Sequence, residues 1–179
     1  MRKVVMYELL SIDGVAEEPG NWMFDVDDAV MDNLGRVIGA QEDVLLGRGT
    51  FDYWAGYWPT ADNQPFADFI NGTPKHVFTS GTPSQEWGGT TFVDAPAAGY
   101  VAELKEGDGG DIGIHGSIAL SQSLMGAGLV DELRLVVAPT VAAGGRRLFG
   151  SEGELQRFEL TDARGTPSGL VLLAYARRS

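Results

Sequence analysis

The sequence predicts a three-layer α/β domain, its central sheet mostly parallel and closed by a C-terminal antiparallel hairpin. Three observations carry that prediction. Eight short β-rich runs alternate with five helical stretches, most of the runs are continuously apolar, and only the turn-rich Gly165-Thr166-Pro167-Ser168-Gly169 separates the last two. Continuous apolar strands suit a sheet covered on both faces, and the intervening helices supply the covers. A turn in place of a helix sends the chain straight back, which puts a hairpin at the sheet edge.

In chain order the strands fall at 2–10, 43–46, 76–80, 91–94, 111–114, 132–137, 158–162 and 170–177, and the helices at about 26–39, 50–54, 65–71, 100–106 and 117–127. The first run follows a basic head, Met1-Arg2-Lys3. Glu8, Ser11 and Asp13 interrupt any signal-peptide core, so it reads as a strand of a cytoplasmic protein. A long connection, 13–22, ends at Trp22 and leads to the first helix, either as an active-site lid or as a plain surface loop. A second loop, 55–63, carries Tyr57, Trp58 and Pro59 just after Trp54, aromatics that either anchor it or line a pocket.

At 179 residues the chain suits a single domain over 1–179, with enough length to bury a core. It is 44% hydrophobic, yet no apolar run approaches the roughly 18 residues a membrane span needs. Without cysteine there is no disulfide or thiolate chemistry, and with two histidines no metal-ligand spacing arises, so no metal is expected. A net charge of −12 opposes general attraction to nucleic acid or an anionic membrane. An anionic ligand therefore needs a local cluster of donors.

Such clusters stand at three strand ends. Leu45-Leu46-Gly47-Arg48-Gly49-Thr50-Phe51 runs from a strand into glycines, a cation and a hydroxyl at a helix start, where the backbone can approach a phosphate and Arg48 can grip it. Asp111-Ile112-Gly113-Ile114-His115-Gly116-Ser117 again opens onto a helix, with Ser117 a natural N-cap. Lys75-His76-Val77-Phe78-Thr79-Ser80 places two hydroxyls at a strand end, where open α/β sheets bind ligands. Any one of these is an ordinary turn; together they suit a dinucleotide.

With Ser11-Ile12-Asp13-Gly14, Gly128-Leu129-Val130-Asp131-Glu132-Leu133 and the stretch from Pro139 through Gly144-Gly145-Arg146-Arg147-Leu148-Phe149, these motifs resemble the dihydrofolate-reductase superfamily, in particular bacterial relatives of the riboflavin-biosynthesis C-terminal reductase domain. The resemblance spans nearly the whole chain. It implies a dihydrofolate-reductase-like fold and NADPH as hydride donor to a small pterin-, pyrimidine- or flavin-precursor-like substrate. It also implies a homodimer, for which the apolar edge of the C-terminal hairpin offers a surface. By residue it implies Arg48 and Thr50 on phosphates between Gly47 and Gly49, Thr79 and Ser80 near the adenosine phosphate, and Gly116, Ser117 and Ile118 on the pyrophosphate. The backbone of Glu8 and Leu9 flanks the nicotinamide. Trp22, Met31, Phe51 and Trp54 are the candidate substrate contacts.

The chain departs from the folate enzyme in two places. Where that enzyme has Gly-Gly joined by a cis peptide, His115-Gly116 stands here, and His115 either packs or reaches the pyrophosphate. Where its first helix carries a buried acid, Met31 stands. Asp25, Asp27 and Asp28 lie nearby, as dipole-matched caps or, through Asp27, as a catalytic acid. Glu8 interrupts an apolar strand, so it is either a buried catalytic carboxylate or an edge residue facing water or an arginine. Two further readings stand beside a reductase: a nucleotide-binding module without turnover, and an acidic protein-interaction domain.

Overall fold

The computed structural model describes residues 1–83, 85–150 and 153–178. Eight strands form one sheet: β1 (Val4–Leu10), β2 (Gln41–Gly47), β3 (Lys75–Phe78), β4 (Thr90–Val93), β5 (Asp111–Ile114), β6 (Glu132–Val137), β7 (Phe158–Gly165) and β8 (Val171–Arg177). Their order is β4-β3-β2-β5-β1-β6-β8-β7. The first six run parallel, and β8 pairs antiparallel with both β6 and β7, which places the expected hairpin at the edge. The helices are α1 (Asp28–Ile38), α2 (Arg48–Trp54), α3 (Phe66–Gly72), α4 (Ala97–Glu106) and α5 (Ile118–Gly126). None of the described helices is long and apolar enough to cross a membrane.

The two faces of β1 explain its continuous apolar reading. Val4, Met6 and Leu10 pack with Val101 of α4 and Leu124 of α5, while Tyr7 packs on the opposite face with Val30 of α1. In β2, Leu45 joins the α4/α5 side, whereas Val44 and Leu46 meet Phe51, Phe66 and Ile70 on the α2/α3 side. Fully burying one such side chain is worth about 1.5–3 kcal/mol, so both layers are held chiefly by this central group of strands.

Some boundaries differ from the sequence reading for identifiable reasons. Helix α1 starts at Asp28 rather than residue 26 because Asp27 stands in extended backbone and caps it. Strand β2 starts at Gln41, where it pairs Asp111 across a register irregularity that a local pattern does not reveal. At the far edge of the sheet, Arg2 donates to Asp43 at 2.6 Å, and the Asp43 carboxylate also meets His76, which in turn meets Tyr100 of α4. That network pins the N-terminal ends of β1, β2 and β3 and leaves their C-terminal ends to the loops.

Candidate functional site

All six parallel strands end on the same side, where the two glycine-bearing turns interlock. Gly47 donates its N–H to the Gly116 carbonyl at 3.2 Å. A Cβ at Gly47 would fall on the Ser117 hydroxyl, 2.9 Å from the Ser117 Cβ, and one at Gly116 would lie 3.0 Å from Thr50 Oγ1. Gly116 has φ +115°, a region that favours glycine. The result is a tight junction of the two turns, a cradle filled by the Ser117 and Thr50 side chains, formed where α2 and α5 begin. Ser117 caps α5 by accepting from Leu120 N–H, so the first-turn amides of Ile118 and Ala119 have no intrahelical acceptor. A cavity of about 450 Å3 opens at this first turn, lined by Ile118, Ala119, Gln122, Arg146, Arg147 and Phe149.

Beside the cradle stands a cation. Arg48 Nη1 donates to Thr79 Oγ1 at 3.2 Å and to the Gly81 carbonyl, while its Nε is shared between both Asp52 oxygens at 2.7 Å. The structure thus joins Arg48 and Thr79, and leaves Ser80 exposed next to them. The non-proline cis bond lies between Gly116 and Ser117, one bond later than the pair singled out from the sequence. His115 does not reach the cradle: it is buried, offers Nε2 to Gln41 Oε1 at 2.7 Å and packs against Phe66 and Phe69. Burial pushes its pKa down to about 3, so the ring is neutral.

The connection after β1 is fastened rather than free. Asp13 accepts from Ser11 Oγ and from the amides of Ala142 and Ala143, which holds its carboxyl below the usual range. Glu17 is held low in the same way, by Arg146 Nε at 2.6 Å and by the Arg146 amide. Trp22 donates its indole N–H to the Glu17 carbonyl and buries its ring with Val15 and Ala138, so it anchors the loop, and it lines a cavity of about 470 Å3 with Glu17 and Thr140. The stretch around Gly144-Gly145-Arg146-Arg147 is thus the clamp for the loop of Ser11-Ile12-Asp13-Gly14. Both motifs are visible in the sequence, but no local signal shows that they pair across about 130 residues.

The remaining predicted residues divide sharply. Phe51 is fully buried, edge-on to Phe92 and tilted against Trp87, so it belongs to the core and not to a substrate surface. Trp54 is partly exposed and packs edge-on against Trp58 and Phe66. Met31 lies half-buried in α1. Asp27 is corrected from acid to anchor: one oxygen accepts the Val30 amide, and the other accepts Ser168 Oγ at 2.7 Å and the Ser168 amide. These bonds, the Ser168 hydroxyl first, bring its pKa down to about 2. It is ionised at neutral pH and has no proton to give.

Glu8 shares the β1 face of Met6 and Leu10, toward α5, where Ser121 Oγ donates to it at 3.0 Å. Burial pushes its pKa up to about 7, and Ser121 opposes that only in part. Among the described residues no arginine or lysine pairs with it, and the side chain is half-buried rather than facing open water. Ser121 lies one turn inside the α5 N-terminus and donates its own amide to the Ser117 carbonyl. Toward the other end of α5 an apolar cavity of about 720 Å3 lies against Leu133, Leu135 and Tyr175, separate from the cradle residues.

Comparison with known proteins agrees with this architecture. The family model of the RibD C-terminal domain matches residues 2–172. The Bacillus subtilis protein YyaP is 26% identical over 97% of this chain and 94% of its own. The structure of a putative riboflavin biosynthesis protein from Shewanella sp. PV-4 superposes with a TM-score of 0.81 at 17% identity, covering 99% of each chain. Dihydrofolate reductase from Enterococcus faecalis, in complex with NADP(H), gives a TM-score of 0.64 at 16% identity over 99% of this chain and 97% of that one. The chain belongs to the RibD C-terminal domain family and has the dihydrofolate-reductase-like fold.

Proposed function

We propose that the protein is an NADPH-dependent reductase that passes hydride to a small heterocyclic substrate. The observation that carries this reading is the glycine cradle between Gly47 and Ser117 and between Thr50 and Gly116, with Arg48 and Thr79 beside it. Two glycine turns at helix starts, with the first-turn amides of Ile118 and Ala119 free of intrahelical acceptors, suit a pyrophosphate, and the adjoining cation and hydroxyl suit the extra phosphate of NADPH. Arg48 and Thr79 hold that phosphate, and Gly116, Ser117 and Ile118 hold the pyrophosphate through their amides. When bound, the nicotinamide supplies the hydride.

The chain's own residues supply position, dryness and a proton. Leu9 and Glu8 flank the ring through their backbone, and the loop held by Asp13, Glu17 and Arg146 keeps water from the end of β1. Glu8 retains a proton close to neutrality and is the acid of the site, since Asp27 stays ionised. The test is a fluorescence titration with NADPH and NADH. Wild type binds NADPH more tightly, and Arg48→Ala weakens NADPH about ten- to a hundredfold, the worth of a charge-assisted contact, while NADH changes far less. Equal loss for the two cofactors contradicts the assignment.

One observation favours a second reading, a nucleotide-binding module without turnover. Neither Met31 nor the anchored Asp27 supplies an acid from α1. Oxidation of bound NADPH by a panel of pterins, flavin precursors and quinones separates the two readings, because a module binds the cofactor and leaves it reduced.

A further inference from the structure

Lys75, the first residue of β3, is a fully buried cation outside the cradle. It pairs Val44 of β2 in register, on the side of the sheet covered by α2 and α3. Its ammonium donates to the Ile70 and Thr73 carbonyls at 2.8 Å each, at the C-terminal end of α3, and lies 4.7 Å from the centre of the Trp87 ring. Among the described residues no carboxylate answers it. Asp68 of α3 is exposed and accepts from Gln64, Glu42 of β2 is exposed, and Asp43 serves Arg2 and His76. No residue of β4 is ionisable, Glu86 beside Trp87 is exposed, and Asp52 of α2 is taken by Arg48. A buried cation without an acid costs the fold stability; what it supplies is a hold on Trp87.

Trp87 fastens the connection between β3 and β4. Its indole donates to Asn71 Oδ1 of α3 at 2.8 Å, and its ring tilts against Phe51 of α2. Along the same connection, Gln85 donates to the Asp52 carbonyl and the Gly81 carbonyl accepts from Arg48. Asp52 in turn holds Arg48 through both carboxylate oxygens. We propose that Lys75 is a positioning residue for recognition of the cofactor's extra phosphate: it grips Trp87, keeps the connection between β3 and β4 seated on α2, and so fixes where Arg48 points. The inference rests on the reductase reading above and extends its specificity to a residue with no exposed surface. A proton controls the grip. Burial brings the pKa of Lys75 down from 10.5 to about 8. The neutral amine still has hydrogens for both carbonyls, but the attraction between a cation and the Trp87 face is gone. Losing the proton therefore loosens the connection, while its effect on global stability has the opposite sign. The native state releases the proton before the unfolded chain does, so the fold gains stability as pH climbs from about 8 toward 10.5.

The test is a fluorescence titration of NADPH and NADH, from about pH 7 to 9.5, into wild type and Lys75→Met, with urea unfolding at each pH. The cofactor's phosphate is ionised throughout this range and does not account for a change at its alkaline end. In wild type the preference for NADPH over NADH is expected to fall about three- to tenfold across the range, the worth of a cation on a buried ring. Over the same range its urea midpoint rises relative to Lys75→Met. In Lys75→Met the preference is expected to be lower by that factor at neutral pH and flat above it. A lysine with only a structural role moves the urea midpoint with pH and leaves the preference constant. A wild-type preference constant across the range, or one that Lys75→Met leaves unchanged, overturns the proposal. Should Lys75→Met fail to fold, the wild-type profile and Trp87→Phe decide. Trp87→Phe keeps a ring but loses the indole bond to Asn71, and an unchanged preference in it likewise overturns the proposal. Binding of neither cofactor to wild type overturns the reductase reading and this inference with it.

Discussion

At the scale of single residues, the acids show how burial and partners sort chemically equal groups. Asp27 and Glu8 are both carboxylates, yet two donors from Ser168 hold one ionised while burial with a single serine holds the other protonated near neutrality. Glu8 has a consequence for stability. Its pKa rises from 4.5 to about 7 on folding, so the native state binds its proton more tightly than the unfolded chain does. Below about pH 4.5 the group is neutral in both states and costs nothing; as pH climbs toward 7 the unfolded chain ionises first and stability falls. Each tenfold difference in proton affinity is worth about 1.4 kcal/mol, so the loss is of order 3 kcal/mol at most. Urea unfolding between pH 5 and 8 should show that decline in wild type and a flatter profile in Glu8→Gln; parallel profiles would place the carboxylate in water.

Among the elements, most of the fold is legible from local pattern and most of the latching is not. The runs at β5 and β6 keep the boundaries read from the sequence because short stretches rich in Ile, Leu and Val, each opened by an acid, have few alternatives. The two glycine-bearing turns are legible for a similar reason, since glycine and hydroxyl cluster within seven residues in each. What escapes is any pairing set by distant segments: Asp27 with Ser168, Asp13 with Ala142, or Gln41 laid over Gly113 to reach His115. The side of the sheet that Glu8 faces escapes too, because both faces of β1 are covered. The contact between the starts of α2 and α5 is testable as a unit. Gly47→Ala drives a methyl into Ser117 and should cost about 1–3 kcal/mol, the range for overpacking, along with cofactor affinity. Adding Ser117→Gly removes the obstacle and, at an N-cap, costs only a few tenths. Urea unfolding of the four proteins should therefore give a coupling of about 0.5–3 kcal/mol. Strict additivity would mean that the two turns do not touch.

For the whole molecule, the reductase reading implies a link between occupancy and stability that does not depend on knowing the substrate. The chain carries a net charge of −12, yet Arg48, Arg146 and Arg147 gather at the strand ends, each beside an acid of the same edge. Local donors, and not the overall field, must hold an anionic cofactor against general repulsion. A ligand that binds only the folded state stabilises it by RT ln(1 + [L]/Kd), about 2.7 kcal/mol at a hundredfold excess over Kd. For a domain of this size each kcal/mol moves the midpoint by roughly 2–4 °C, so NADPH at that excess should raise it by about 5–10 °C. NADH at the same concentration, if tenfold weaker, gives about 1.4 kcal/mol less and a shift smaller by about 3–6 °C. The difference should shrink in Arg48→Ala, because the cation that separates the two cofactors is gone, and in high salt, which screens partly exposed charges. A midpoint indifferent to both cofactors across that range would remove the reductase and nucleotide-module readings together and leave the acidic interaction domain standing.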